Sequence, residues 1–256
     1  MGARASKEPP ASAASASAAA ESSSSSCPVP EEYRGKAVYN VYSQRVDGLS
    51  PLNNMPAQAN QSRAPGQAES LSTERKESSI PKGGTGSNWL YPSAQMFYNA
   101  LVRKGKADDV VEKDMATVVS VHNSMNEMTW KAVLQWERLH AEACPFPMLL
   151  RFEGRPHDLS PRARWLGLWG GPAPFDRHDW KVLRCGQEVR YIIDFYFDEA
   201  KAGTMDAFKV DARPALDSPE ACLDRLKMNV YIAAAAVGLP CPITGDSGKI
   251  VPSQAQ

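Results

Sequence analysis

The run from Asp109 to Pro145 constrains the fold most, because it is long, helical in its periodicity and carries two of the chain's 4 histidines. Met115, Val118, Val119 and His122 recur at spacings that place them on one helical face, so His122 closes an apolar stripe. Ser124-Met125-Asn126-Glu127 has the serine-to-glutamate pattern of a capping box, which predicts a second helix beginning there. Its inner face would hold Ala132, Val133, Trp136, Leu139, His140 and Ala143, with Trp130 a turn earlier and Cys144-Pro145 as the stop. A break near Asn123 would let the two helices bend around something between them; an uninterrupted helix is the alternative.

Charge and cysteine content narrow the function. Lys plus Arg and Asp plus Glu both count 29, so there is no basic excess of the kind a nucleic-acid partner selects. Cys27, Cys144, Cys185, Cys222 and Cys241 form an odd, widely spaced set without a CxxC pair. That pattern predicts neither a disulfide scaffold nor a purely protein-built zinc or iron-sulfur site. No apolar run reaches the length of a membrane span, which leaves peripheral attachment open.

Composition divides the chain into an expected disordered leader at 1–87, a folded domain at 88–240 and a flexible tail at 241–256. Met1-Gly2-Ala3-Arg4-Ala5-Ser6 fits the myristoylation pattern, and a plain disordered leader fits as well. Cys27-Pro28-Val29 follows a run of serines; a thiolate there is sterically open to a heme iron, or is a chance linker cysteine. Lys82 to Ser87 is glycine-rich but lacks the spacing of a phosphate-binding loop.

Order is expected to begin at Asn88, with Trp89 and Tyr91 as core anchors or as rings beside a flat cofactor. Ser93 can cap a helix bearing Met96, Phe97, Ala100 and Leu101 on one side. In Ser160-Pro161-Arg162-Ala163-Arg164-Trp165, Arg162 and Arg164 are candidates to clamp a carboxylate, or are solvated surface arginines. Phe175 to Trp180 is a dense polar and aromatic cluster. Two strand-like runs follow at 187–197 and 206–211, joined as a hairpin, and alternation puts Val189, Tyr191, Ile193, Phe195 and Phe197 on one side. Ser218-Pro219-Glu220 opens a last helix that Gly238 and Pro240 can stop. The fold class is therefore α+β: a helical region, then a small antiparallel hairpin or sheet, then a C-terminal helix.

Several chemistries compete for these residues. His140 and Cys144 share a helical face, but no oxyanion pocket or oriented base accompanies them. His178 with Asp176 or Asp179 lacks a nucleophile setting, and His140, Cys144, His157 and His178 lack metal-site regularity. An imidazole ending an apolar stripe, in a chain rich in tryptophan and tyrosine, suits an iron porphyrin; a packed core histidine explains His122 as well.

The longer blocks settle between such readings by resemblance. WLYPSAQMFYNAL (89–101), HNSMNEMTWKAVLQWERLHAEACP (122–145), SPRAR (160–164), PFDRHDWKVLRCGQEVRYIIDFY (174–196) and VDARPALDS (210–218) together resemble the holocytochrome c-type synthase, or cytochrome c heme lyase, family. The CPV at Cys27 resembles that family's heme regulatory motif. The resemblance implies a lyase that attaches heme b, bound as substrate with its iron reduced, to the CxxCH motif of apocytochrome c, with apocytochrome c1 as a second candidate. It implies peripheral association with the mitochondrial inner membrane on the intermembrane-space side. The histidine of the family's HNxxNE block falls on His122 as the axial iron ligand, and its acidic residue on Glu127, which would cap the second helix or orient the pocket.

By the same resemblance Trp89, Tyr91 and Trp130 would wall the heme, and His178 and Arg184 would give structural support or dock substrate. Arg162 and Arg164 are the candidates for the heme propionates, and Cys144 and Cys185 need not react. The family's tryptophan-rich end is replaced after Lys227 by Met228-Asn229-Val230-Tyr231, an alanine run and an extra tail. The different-class alternative is a heme carrier or regulator in mitochondria that forms no thioether.

Overall fold

The structure, a computed structural model, describes residues 61–239 apart from Asp109 and Pro156. The Cys27 motif, the Gly2 signal and the tail from Pro240 onward lie outside the described residues. Two short strands, β1 (Glu77–Pro81) and β2 (Asn88–Leu90), pair as an antiparallel ribbon ahead of helix α1 (Ala94–Arg103). Strand β1 lies before the expected start of order, and Ile80 within it is buried in the core. The ribbon is fastened to the next strand by close backbone approach: Gly83 donates to the Leu149 carbonyl at 2.9 Å. A Cβ at Gly83 would stand 3.1 Å from the Leu150 Cα, so only glycine fits comfortably.

Helix α2 runs without interruption from Met115 to Glu137. The break expected near Asn123 does not occur, and Ser124 caps nothing. A capping box acts where the chain enters a helix, but here the preceding turns are already helical and anchored, with Met115 and Val119 packed against Ala94 and Tyr98 of the α1 region. Propagating an existing helix adds one backbone bond per residue, whereas restarting it would lose several.

Beyond α2, β3 (Met148–Gly154), β4 (Asp176–Arg184), β5 (Gln187–Phe197) and β6 (Phe208–Pro214) form an antiparallel meander in that order. The expected hairpin is β5 and β6. The polar-aromatic cluster proves to be the start of β4, whose alternation is masked because both of its faces are covered. On one face Trp180, Tyr191, Ile193, Phe195 and Ala212 pack with Trp130 and Val133 of α2. On the other, Asp194 is buried with Arg213 at 2.6 Å and the Ser160 hydroxyl at 2.5 Å. Burying that carboxylate is tolerated because it is paired and hydrogen-bonded.

Helix α3 (Pro161–Leu168) starts at Ser160, whose hydroxyl accepts from Ala163 N, and α4 (Pro219–Ala236) starts at Ser218 in the same way. Ser93 caps α1 by accepting from Met96 N. All three caps follow from the free amides at a helix start.

Two cysteines depart from expectation. Cys144 and Cys185 form a disulfide, joining the end of the α2 segment to the β4–β5 turn. That turn is two residues, Cys185 and Gly186, with φ of 42° and 96°. Both positive values fit the tight turns that match the twist of a hairpin, a conformation glycine takes freely and cysteine does not. The 41-residue separation explains why no local spacing announced the pair.

Candidate functional site

An apolar cavity of about 200 Å³ opens between α1, α2, the β2 segment and the sheet. Three elements each turn one face toward it. Met96, Phe97, Ala100, Arg103 and Lys104 come from one face of α1; His122 and Asn126, four residues apart, come from α2; Trp89, Leu90, Tyr91 and Pro92 follow from β2. Leu149, Phe152 and Trp180 supply the sheet side. The aromatic walls support one another edge to face, with Trp89 and Phe152 centroids 5.5 Å apart. The Trp89 indole N–H donates to the Leu149 carbonyl at 3.0 Å, which fixes the ring's orientation.

His122 is partly buried in this cavity and meets the edge of Phe97 at 5.1 Å between centroids. Burial depresses its pKa to about 4, with nearby His178 and Lys104 adding to the fall and Asp176 opposing it. The ring is therefore neutral at physiological pH and keeps a nitrogen lone pair for a metal. Its Nδ1 lies 3.1 Å from the Asn126 side-chain nitrogen, which also donates to the His122 carbonyl at 2.9 Å. A carboxamide can donate to a bare Nδ1 or, turned over, accept from a protonated one, so Asn126 serves either tautomer. No hydrogen bond to a described residue engages Nε2.

Glu127 is not a helix cap. Its carboxylate accepts from the Tyr91 hydroxyl at 2.8 Å, from Ser79 N at 3.0 Å and from the Ser79 hydroxyl. One acidic side chain thus ties α2 to β1 and holds the Tyr91 ring in the cavity wall. Burial and then that hydrogen bond raise the Tyr91 pKa, so the phenol stays protonated as the donor. Glu127 acts here by positioning.

The structure brings together His122, Trp89 and Tyr91 at the cavity, with Glu127 behind Tyr91, and places Trp130, Arg162, Arg164 and Arg184 away from its lining. Trp130 is buried in the core beside Val133 and does not line the cavity. Arg162 pairs with Asp211 at 2.9 Å on the sheet face turned away from α2, and Arg164 sits on the same short helix, α3. Neither reaches the cavity. His178 pairs with Asp176 at 3.2 Å. Arg184 is structural: its guanidinium makes two hydrogen bonds to Glu137, at 2.8 and 2.9 Å, in the buried end of α2.

Asn126, Phe97, Phe152 and Trp180 complete the site without having been singled out for it. Asn126 was legible in principle, since it falls one turn after His122. Phe152 and Trp180 were not, because they reach the cavity only through the pairing of β3 with β4. Among the described residues no cluster of His, Cys, Asp and Glu could hold a metal ion by itself. The rival constellations dissolve as well: His140 is engaged by Asp224 at 2.8 Å, and Cys144 is in the disulfide. What remains is one nitrogen donor at the wall of an aromatic cavity, a donor set that fits a planar iron macrocycle bringing four ligands of its own.

The family model described as cytochrome c/c1 heme lyase matches residues 1–229. Over 201 residues the chain is 47% identical to the holocytochrome c-type synthase of Gallus gallus, an alignment spanning 77% of this chain and 73% of that protein. It is 46% identical to the human holocytochrome c-type synthase over 207 residues, spanning 79% and 73% of the two chains. With the holocytochrome-c synthase of Saccharomyces cerevisiae it shares 45% identity over 203 residues, covering 70% and 75%. No solved structure gives a significant match.

Proposed function

Since the chain belongs to the cytochrome c/c1 heme lyase family and is a lyase-type enzyme, we propose that its cavity holds heme b as a substrate for thioether attachment to the CxxCH motif of apocytochrome c. The observation that carries this reading is the neutral His122 ring in an aromatic cavity, with its Nε2 edge engaged by no described residue. His122 Nε2 is the axial ligand on one face of reduced heme iron. The CxxCH histidine of the apocytochrome takes the opposite face, and this brings the two substrate thiols beside the two vinyl groups.

Each addition balances without a leaving group. The thiol sulfur bonds to the vinyl carbon nearer the macrocycle, the outer carbon gains the thiol's hydrogen, and the carbon-carbon double bond becomes single. The enzyme's own share is positional: His122 holds the iron, Asn126 steadies His122, and Glu127 holds Tyr91 against the ring. Turning a two-body encounter into an internal one is worth roughly 7 kcal/mol or more when geometry is good.

The partner is apocytochrome c, with apocytochrome c1 as a further substrate, and the place of work is the intermembrane-space face of the mitochondrial inner membrane. No helix of the described residues is long and apolar enough to cross a membrane, in keeping with a peripheral attachment. Cys27 adds a thiolate for regulatory heme. Co-expression with an apocytochrome carrying CxxCH, followed by a denaturing gel stained for covalent heme, tests the reading. Stain on the cytochrome is expected, and its loss when both substrate cysteines become alanine. Unstained cytochrome beside folded, heme-loaded enzyme would mark a carrier instead.

A further inference from the structure

We propose that the distal part of α4, Met228 to Leu239, is the segment by which this protein attaches to a lipid bilayer, sinking into the boundary between headgroups and acyl chains without crossing. This deepens the peripheral attachment proposed above and rests on that reading. The first half of α4 is docked: Ala221, Asp224 and Met228, spaced by three and four, are buried, and the Arg225 guanidinium donates to the Pro214 carbonyl at the end of β6. Beyond Met228 no residue of the helix is buried. Tyr231 and Ala234 are half-buried, and Asn229, Val230, Ile232, Ala233, Ala235 and Ala236 are exposed.

That exposed surface is of the wrong kind for water. From Met228 to Leu239 there is no charged side chain, and beyond Asn229 the only polar one is Tyr231. Val230, Val237 and Leu239 are 55%, 74% and 59% exposed. Its shape does not suit a second protein either. Val230 and Val237, seven residues apart, share one flank of the helix, Ile232 lies about 200° round on the other, and Ala233 and Ala236 fill the outer arc between them. A partner helix would cover one flank and leave the other in water, whereas lipid covers every side that the fold leaves bare.

The backbone at this end is closed as an apolar medium requires. Gly238, at a φ of 77°, turns the chain so that Leu239 N donates to the Ala234 carbonyl at 2.9 Å and Gly238 N to the Ala235 carbonyl at 3.1 Å. Those carbonyls would otherwise need water. The 12 residues from Met228 rise about 18 Å against about 30 Å of hydrocarbon, so the segment inserts and does not span. Lys227, exposed immediately before it, can keep its ammonium among lipid phosphates while the apolar run goes deeper.

The full-length chain would be floated with vesicles of phosphatidylcholine and phosphatidylglycerol as wild type, as Val230→Ser with Val237→Ser, and as Ile232→Ser. Each flank's variant is expected to partition about tenfold more weakly than wild type, the scale of an aliphatic side chain moved from lipid to water. Heme absorption and thermal unfolding are expected to stay unchanged. Val230→Leu with Val237→Leu keeps the flank apolar and is expected to bind at least as well as wild type.

Undiminished partition of both serine variants would overturn the proposal; if partition were lost instead in Trp165→Ser with Trp169→Ser, the exposed rings of α3 would be the anchor. Weakening by one flank's variant alone, with a dimer in lipid-free sedimentation that the same variant splits, would make a second copy the occupant and overturn it too. In both cases wild-type vesicle binding, and with it peripheral attachment, still stands. Failure of that reading looks different: the folded wild type itself would not float with the vesicles.

Discussion

The two ends of α2 contrast sharply. At its C-terminal end Glu137 is buried and fully engaged, by the Arg184 guanidinium and by the Tyr191 hydroxyl at 2.5 Å. Asp224 of α4 joins the same group, 3.5 Å from Arg184 and 2.8 Å from His140, and the Cys144–Cys185 disulfide closes it off. Toward the other end, His122 is touched by one polar side chain and faces a cavity. The helix is locked at the end away from the cavity and left open where it meets the cavity. A rigid element with a secured end can present a ligand atom within a narrow range of positions, which is what proximity catalysis demands. The two histidines show the same division, His140 being held by a carboxylate and His122 reserved.

Breaking the locked end should be the most damaging change. Glu137→Ala leaves the Arg184 guanidinium buried without its main partner, and is expected to lower stability by about 3–5 kcal/mol in a denaturant titration. His122→Ala should cost far less; equal losses would erase the contrast. Removing the disulfide through Cys144→Ser with Cys185→Ser is expected to cost about 3–4 kcal/mol, the loop-entropy scale for a closure of this length. Its effect on heme affinity should be small.

At the open end the effects shift from stability to binding. Asn126→Leu removes the polar partner of His122 while keeping similar bulk, and is expected to weaken heme binding about tenfold with little change in folding. An unchanged affinity would show that packing against Phe97 orients the ring without it.

The smallest expected effect is in pH. His122 has a folded pKa of about 4, set chiefly by burial, against an ordinary value of 6.5. Between those values the unfolded chain takes up a proton that the folded one refuses, so stability is whole above about pH 6.5 and declines as pH falls toward about 4. His122→Gln should flatten that part of the stability profile of the heme-free protein. A variant with the wild-type slope would show that His122 is not the group held neutral.

The parts of this molecule legible in sequence are those fixed by neighbours in the chain. Ser93 and Ser218 announced α1 and α4, and alternation announced β5 and β6, because caps and strand faces are local. His122 was placed by spacing and by resemblance, and its aromatic companions Trp89 and Tyr91 came with it. The hidden parts depend on contacts between distant segments. Strand β4 was hidden because Arg177 and Asp179 are buried as a pair at 3.0 Å, so its outward face looked like a polar loop. The disulfide joins residues that no motif relates. Glu127 carried the signature of a cap, and only the fold shows its carboxylate reaching Ser79 and Tyr91 instead. Arg162 and Arg164 had suitable chemistry on the wrong face of the sheet.

The central claim is that one imidazole, His122, supplies the protein's ligand to heme iron. Its most direct test is the absorption spectrum of the purified heme complex for His122→Ala beside His140→Ala. The band of the histidine-ligated iron should disappear in the first and persist in the second, whose histidine is committed to Asp224. An unaltered spectrum after removal of His122 would contradict the account.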